Sequence, residues 1–175
     1  MHQFTISDVD AFPYHGNRYE LLQGILLATP PSTLPHQTVA SELAGTLATF
    51  LDDEPEVETV ARGVILRRPH TQLVPDVLVL AMPRIAEWEA VEHHWLVAEV
   101  SDVHSRTYDR EYKRDAYLQL GVREVWLVDL DERCVFVSRP GSASDQRYDS
   151  TVTWTSPGGR ELVVDIAGLF RSLPR

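Results

Sequence analysis

The sequence predicts a fold of the α/β or α+β class, a mixed sheet with helices packed on it. Three observations carry this. Short apolar runs rich in Val, Ile and Leu recur along the chain, bounded by Gly, Pro and acidic turns. Two longer stretches, about Pro35–Leu51 and Tyr108–Leu120, place apolar residues at helical spacing instead. The order is therefore helix, several strands, helix, strands, with no internal repeat and no linker to divide 1–175.

The elements follow in turn. A short amphipathic piece up to about Tyr14 has Ser7 or Asp8 as its cap. Tyr19–Leu22 and Ile25–Leu27 flank Gln23-Gly24 and predict a hairpin, with glycine supplying positive φ. Pro35 opens a helix that presents Val39, Leu43, Leu47 and Phe50 on one face. Asp52-Asp53-Glu54-Pro55 stops it. Val57–Leu66, Val74–Leu80 and Trp95–Ser101 read as strands, with Pro83–Val91 as a connection. Tyr108–Leu120 reads as a helix closed by Gly121. Val122–Asp129 and Arg133–Ser138 are strands about the acidic turn Leu130-Asp131-Glu132. Pro140–Asp145 is a loop, and Thr151–Thr155 with Glu161–Val164 forms a late hairpin around Pro157-Gly158-Gly159.

Apolar residues make up 43% of 175, enough for one domain with a sizeable core. Cys134 is the one cysteine and lies in an apolar run, as a small core residue does. The N-terminus lacks the basic-then-apolar order of a signal peptide, and no apolar run is long enough to span a bilayer. A cytoplasmic protein without a membrane segment is expected. The net charge of −10 argues against a broad basic face for nucleic acid. It leaves room for a local basic strip, with Arg62, Arg67, Arg68, Arg106, Arg110 and Arg114 as candidates, or as ordinary solvated charge.

Three residues carry chemistry. Asp76 follows Pro75 at the head of Val77–Leu80, as a strand-end acid or as a plain turn residue. Glu99 interrupts an apolar run, with Val97 and Trp95 on its own face. A carboxylate there needs a partner, a metal or a raised pKa, unless it reaches water at a sheet edge. Lys113 shares a helix face with Asp109 and Tyr117. It is either a surface partner of Asp109 or an ammonium leaning over the strand ends, where it would stabilise charge on a phosphate. His36, His93, His94 and His104 read first as surface or packing residues. Two strand acids and a helix lysine make a metal-dependent hydrolytic site the leading idea.

This set resembles the PD-(D/E)XK nuclease superfamily and, within it, the restriction-endonuclease-like Uma-two family. The likeness lies in Arg18-Tyr19-Glu20-Leu21-Leu22-Gln23-Gly24, in Pro31-Ser32 with His36, and in Val74-Pro75-Asp76-Val77. It continues through Glu99-Val100-Ser101-Asp102, Tyr108-Asp109-Arg110, Lys113, Tyr117 and Gly121–Asp129, so that it runs to about Arg139. The resemblance implies an αβββαβ core whose central strands carry Asp76 and Glu99. It also implies Mg²⁺, with Mn²⁺ as a substitute, held by Asp76, Glu99, the Val100 carbonyl and Glu20. The superfamily motif puts its lysine two residues beyond the second acid. Ser101 stands there in this chain, and the resemblance implies that Lys113 takes the role, as in the family. Val103-His104 departs from the run of small hydroxyl residues common in relatives.

The implied activity is phosphodiester hydrolysis, with DNA as substrate and a homodimer left open. Two alternatives stay beside it: a catalytically silent nucleic-acid- or protein-binding module on the same fold, and a hydrolase of a small phosphorylated molecule.

Overall fold

The computed structural model describes residues 2–13 and 16–173. Among these, three sheets form, with strand orders β2-β1-β5-β4, β10-β9-β8-β7-β6-β3 and β11-β12. The strands are β1 (Arg18–Leu22), β2 (Ile25–Thr29), β3 (Val57–Ala61), β4 (Ile65–Arg67), β5 (Thr71–Leu73) and β6 (Val77–Ala81). They continue with β7 (His94–Ser101), β8 (Val125–Asp129), β9 (Cys134–Ser138), β10 (Gln146–Tyr148), β11 (Thr151–Thr155) and β12 (Glu161–Asp165). Helix α1 is Ile6–Asp10, α2 is Leu34–Phe50 and α5 is Ile166–Leu169. Between β7 and β8, α3 (Arg106–Tyr108), a π-helical turn (Asp109–Lys113) and α4 (Arg114–Gln119) follow one another without a break. No helix among the described residues is long and apolar enough to cross a membrane.

The predicted hairpin forms as β1–β2, with both Gln23 and Gly24 at positive φ, the geometry of a two-residue turn. The predicted first helix forms as α2. Its cap is Thr33, whose hydroxyl accepts the His36 backbone N–H. The cap of α1 is Thr5 rather than Ser7 or Asp8; Asp8 completes a capping box with it. Tyr14, the expected end of that first piece, lies outside the described residues.

One expected strand is divided and another is shortened. Val57–Leu66 becomes β3 and β4, in different sheets, because Arg62 takes φ of 56° and turns the chain. Gly63 follows, where a Cβ would stand 2.8 Å from a Leu78 methyl. Val74–Leu80 shortens to β6, because Val74-Pro75-Asp76 is the link that brings the chain from β5 in the other sheet; β5 itself lies before the expected strand. The unexpected β10 extends the central sheet beyond β9.

Helix α2 covers one face of the central sheet. Val39, Leu43 and Leu47 pack with Leu96, Ala98 and Val100 of β7 and with β11, β12 and α5. Val97, on the alternate face of β7, packs with Ala116 and Tyr117 of α4. Trp95 joins the α2 side instead of sharing the face of Val97. Strands β7 and β8 are parallel, so a helical crossover must join them. That crossover carries Lys113 past the end of β7.

The crossover is fastened from outside by Asp145, in the loop before β10. Asp145 accepts from Arg110 Nε at 3.2 Å, Arg114 Nη1 at 2.6 Å and Ser138 Oγ at 2.6 Å. Burial pushes its carboxyl up, and the Ser138 and Arg114 bonds outweigh that and hold it below the usual range. The Arg110 guanidinium also lies 4.1 Å from the centre of the Phe136 ring. The two arginines bracket Lys113 in the sequence, so this clamp fixes the register of the helix that bears it.

Two outcomes follow for stability. Leu43 is fully buried, so Leu43→Ala costs about 2–5 kcal/mol in urea melts. No change would show that α2 does not rest on the sheet through this face. Asp145→Ala costs about 1.5–3 kcal/mol and speeds amide exchange in 109–114, whereas Asp145→Asn loses less. Unaltered exchange there would show that the clamp does not hold the crossover.

Candidate active site

Asp76 sits where the chain passes from one sheet to the other, and its carboxylate takes the place of a strand backbone. Oδ2 accepts the Val100 N–H at 2.9 Å, continuing the β6–β7 ladder past Val77. Oδ1 accepts from Arg18 Nη1 at 2.8 Å. His36, near the start of α2, brings Nε2 to 3.1 Å from Oδ2. A carboxylate oxygen only accepts, so this contact puts the imidazole proton on Nε2. Burial pushes the Asp76 carboxyl up, but His36, Arg18 and the Val100 N–H outweigh it and hold it well below the usual carboxylate range.

Glu20 and Glu99 share one cation. Lys113 Nζ lies 2.9 Å from Glu20 Oε1 and 2.5 Å from Glu99 Oε1, and Asp109 Oδ1 stands at 3.9 Å. Glu20 is held from behind by the Val74 N–H at 2.8 Å, while Arg18 Nε faces its other oxygen at 3.6 Å. Glu99 Oε1 also accepts from the Tyr117 hydroxyl at 2.5 Å, and Asp109 accepts from Ser101 Oγ at 2.7 Å. Thus Asp109, Lys113 and Tyr117, spaced four apart, all turn to the end of β7. Lys113 is 0% exposed. Burial alone lowers its pKa, but Glu20, Glu99 and Asp109 more than reverse this, and the ammonium keeps its proton. It is not a surface partner of Asp109.

The charges do not balance. Four buried carboxylates, Glu20, Asp76, Glu99 and Asp109, face two permanent cations, Arg18 and Lys113. Fully ionised, these four acids would outnumber the two cations by two. Burial drives the Glu99 carboxyl well above its ordinary range, against the pull of Lys113, with Asp76, Asp109 and Glu20 adding to the rise. Its Oε2 has no hydrogen-bond partner, although Glu99 is 0% exposed. An unpaired buried carboxylate oxygen is costly, and a proton or a cation must meet it.

The cluster backs onto a cleft of about 460 Å³, lined by Arg18, Glu20, His36, Val100, Tyr108 and Asp109 among others. Asp76 and Glu99 lie behind this wall. A larger hollow of about 550 Å³ along the outer side of α2 has Glu42 as its one charged lining residue and none of this chemistry. Among the described residues no three His, Cys, Asp or Glu side chains are gathered as a ready cation cage. Mg²⁺ rarely uses such a cage. It takes one or two carboxylates and keeps waters and substrate oxygens. The bare Oε2 of Glu99 and the surplus of carboxylates over permanent cations fit that demand.

The expected acids and lysine are therefore neighbours. Arg18 and His36 join them at Asp76, a role that the sequence expectations assign to neither. The one local hint for Arg18 is its position two residues before Glu20 on the same strand face. His104 lines the cleft but is exposed. His94 is buried in β7 and drops to about pKa 4, chiefly through burial. Buried Cys134 rises to about 11 for the same reason, which makes it a poor nucleophile. The expected basic strip is largely neutralised. Arg68 pairs with Glu89, Arg106 with Asp129 and Asp131, and Arg110 and Arg114 with Asp145. Arg67 bonds to backbone carbonyls.

The fold is similar to a crystal structure from Anabaena variabilis ATCC 29413, described as "a putative nuclease belonging to DUF820". The two chains are 21% identical, with 96% of this chain and 98% of that one covered at a TM-score of 0.75. At that identity the likeness concerns the fold. No curated protein matches the chain. The model of the Uma2 family, described as "putative restriction endonuclease", matches residues 6–169. The chain belongs to the Uma2 family of restriction-endonuclease-like proteins.

Proposed function

We propose that this protein is a metal-dependent endonuclease that hydrolyses phosphodiester bonds in DNA, with 1–175 as a single restriction-endonuclease-like domain. The observation that carries the reading is Glu99 Oε2, buried and unpartnered within a cluster that holds more carboxylates than permanent cations. Family membership supports nuclease chemistry. Asp76, Glu99, the Val100 carbonyl and Glu20 would hold Mg²⁺, for which Mn²⁺ would substitute. When bound, the cation lowers the pKa of a water and polarises the scissile phosphate.

The chain's own residues do the rest. Tyr117 and Lys113 both engage Glu99 Oε1, which orients the carboxylate and leaves Oε2 for the cation. Lys113 is preorganised by three acids and stays charged, so it can offset negative charge on the phosphoryl oxygens at no cost of reorganisation. Arg18 and His36 fix Asp76 in its ionised form. The neutralised arginines at the rim favour the silent binding module as the second reading, and the same assay separates the two.

Cleavage of labelled DNA with Mg²⁺ or Mn²⁺ is the test. Glu99→Gln keeps the shape of a neutral Glu99, so it should fold normally, bind the cation more weakly and cleave on the order of 10²-fold more slowly. Lys113→Met should lower turnover by roughly 10²–10³. Because it strands buried carboxylates, it should also cost about 3–5 kcal/mol, so its rate is read well below its melting temperature. Equal cleavage by wild type and Glu99→Gln would remove Glu99 from the chemistry. A wild type that cleaves with neither cation would leave the silent module.

A further inference from the structure

The reacting groups are out of reach of a broad ligand. Glu99 and Lys113 are 0% exposed and Asp76 is 4% exposed. A phosphodiester approaches them only through the cleft, whose volume of about 460 Å³ is that of a small-ligand site. Paired duplex, with its bases stacked inside, has no flexible strand to send into such a space. A single strand has, because it can splay its bases away from its backbone. One wall of the cleft bears Leu27, Pro30 and Pro31, apolar surface that suits a sugar or a base.

The rim provides a second, independent observation. Tyr108 lines the cleft, and Tyr112 stacks on it with ring centres 5.6 Å apart and an angle of 28° between the planes. Tyr112 is 56% exposed, an aromatic ring held flat by its neighbour and open to solvent. Each tyrosine directly precedes a residue of the buried cluster, as Tyr108-Asp109 and Tyr112-Lys113. The π-helical turn therefore fixes the aromatic stack relative to the reacting groups. The arginines nearest this rim are already engaged: Arg106 by Asp129 and Asp131, Arg110 and Arg114 by Asp145. With a net charge of −10, backbone attraction is a weak source of affinity. Stacking does not depend on that charge.

We infer that Tyr112, backed by Tyr108, is a stacking platform for an unpaired base of single-stranded DNA, whose adjoining phosphodiester enters the cleft. The inference names the substrate class of the proposed nuclease and rests on that reading for the cleavage step alone; the binding site stands on the geometry.

The test is fluorescence anisotropy of the full chain with a labelled mixed-sequence oligodeoxynucleotide. Ca²⁺ replaces Mg²⁺, so that a hard cation meets the carboxylates. The same oligonucleotide is also tested annealed to its complement, and with abasic sites in place of its central bases. The single strand should bind more tightly than the duplex or the abasic strand. Tyr112→Ala should weaken single-strand binding roughly 5–150-fold, and Tyr112→Phe should restore it, because the ring and not the hydroxyl stacks. Tyr112 is exposed, so melting temperatures should be unchanged, and a Tyr112→Phe control covers any residual folding effect. Duplex binding as tight as single-strand binding would overturn the platform. So would an abasic strand that binds like the intact one, or wild-type affinity in Tyr112→Ala. Tyr112-dependent binding without any cleavage in Mg²⁺ would sink the nuclease reading and leave the platform standing. Cleavage with Tyr112-independent binding would do the reverse.

Discussion

The Lys113 ammonium, sealed between Glu20 and Glu99, is the interaction on which the rest of the structure depends. It joins three elements that the chain delivers from far apart: β1 of the four-stranded sheet, β7 of the six-stranded sheet and the crossover helix. A buried ion pair of this kind contributes little net stability, because desolvation consumes most of the attraction. Removing one partner is another matter, since the others stay buried and unpaired. The cluster therefore specifies how the two sheets meet more than it strengthens them.

The same constraint explains the surroundings. Asp76 can stand at the sheet junction because Arg18, His36 and a backbone N–H satisfy its oxygens. Glu99 cannot be satisfied in this way, because one of its oxygens faces no donor. The protein thus keeps one acid firmly ionised and another poised to take a proton or a cation. Environments that push neighbouring acids apart in this manner are typical of functional sites. The Asp145 clamp acts at one remove, holding the crossover so that Asp109, Lys113 and Tyr117 meet the end of β7 together.

Much of this was legible in the sequence, for local reasons. An acid inside an apolar strand run, as at Glu99, announces a partner. A lysine four residues from both Asp109 and Tyr117 announces a helix face. The α2 stripe and the Gln23-Gly24 turn likewise follow from periodicity and backbone preference. What escaped depends on contacts distant in the chain. Nothing near Arg62 in the sequence shows that Gly63 must pass beside Leu78 and so split one strand into two. His36 looks like any helix-start histidine until Asp76, brought by another sheet, lies 3.1 Å away. The six arginines of the expected strip carry the right charge, and only the fold shows that the acids of the β8–β9 turn and Asp145 take several of them up.

The proposed divalent cation would complete the buried carboxylate cluster of Glu20, Asp76, Glu99 and Asp109 in the folded protein. A ligand that binds the folded state alone raises stability by mass action, by about 2.7 kcal/mol at a hundred times its dissociation constant. Thermal melting against increasing Mn²⁺ measures this directly. The account predicts a melting temperature that climbs with Mn²⁺ in the wild type and stays flat when Asp76→Asn and Glu99→Gln are combined. A wild-type melting temperature indifferent to Mn²⁺ and Mg²⁺, or a climb that persists in the double variant, would contradict it.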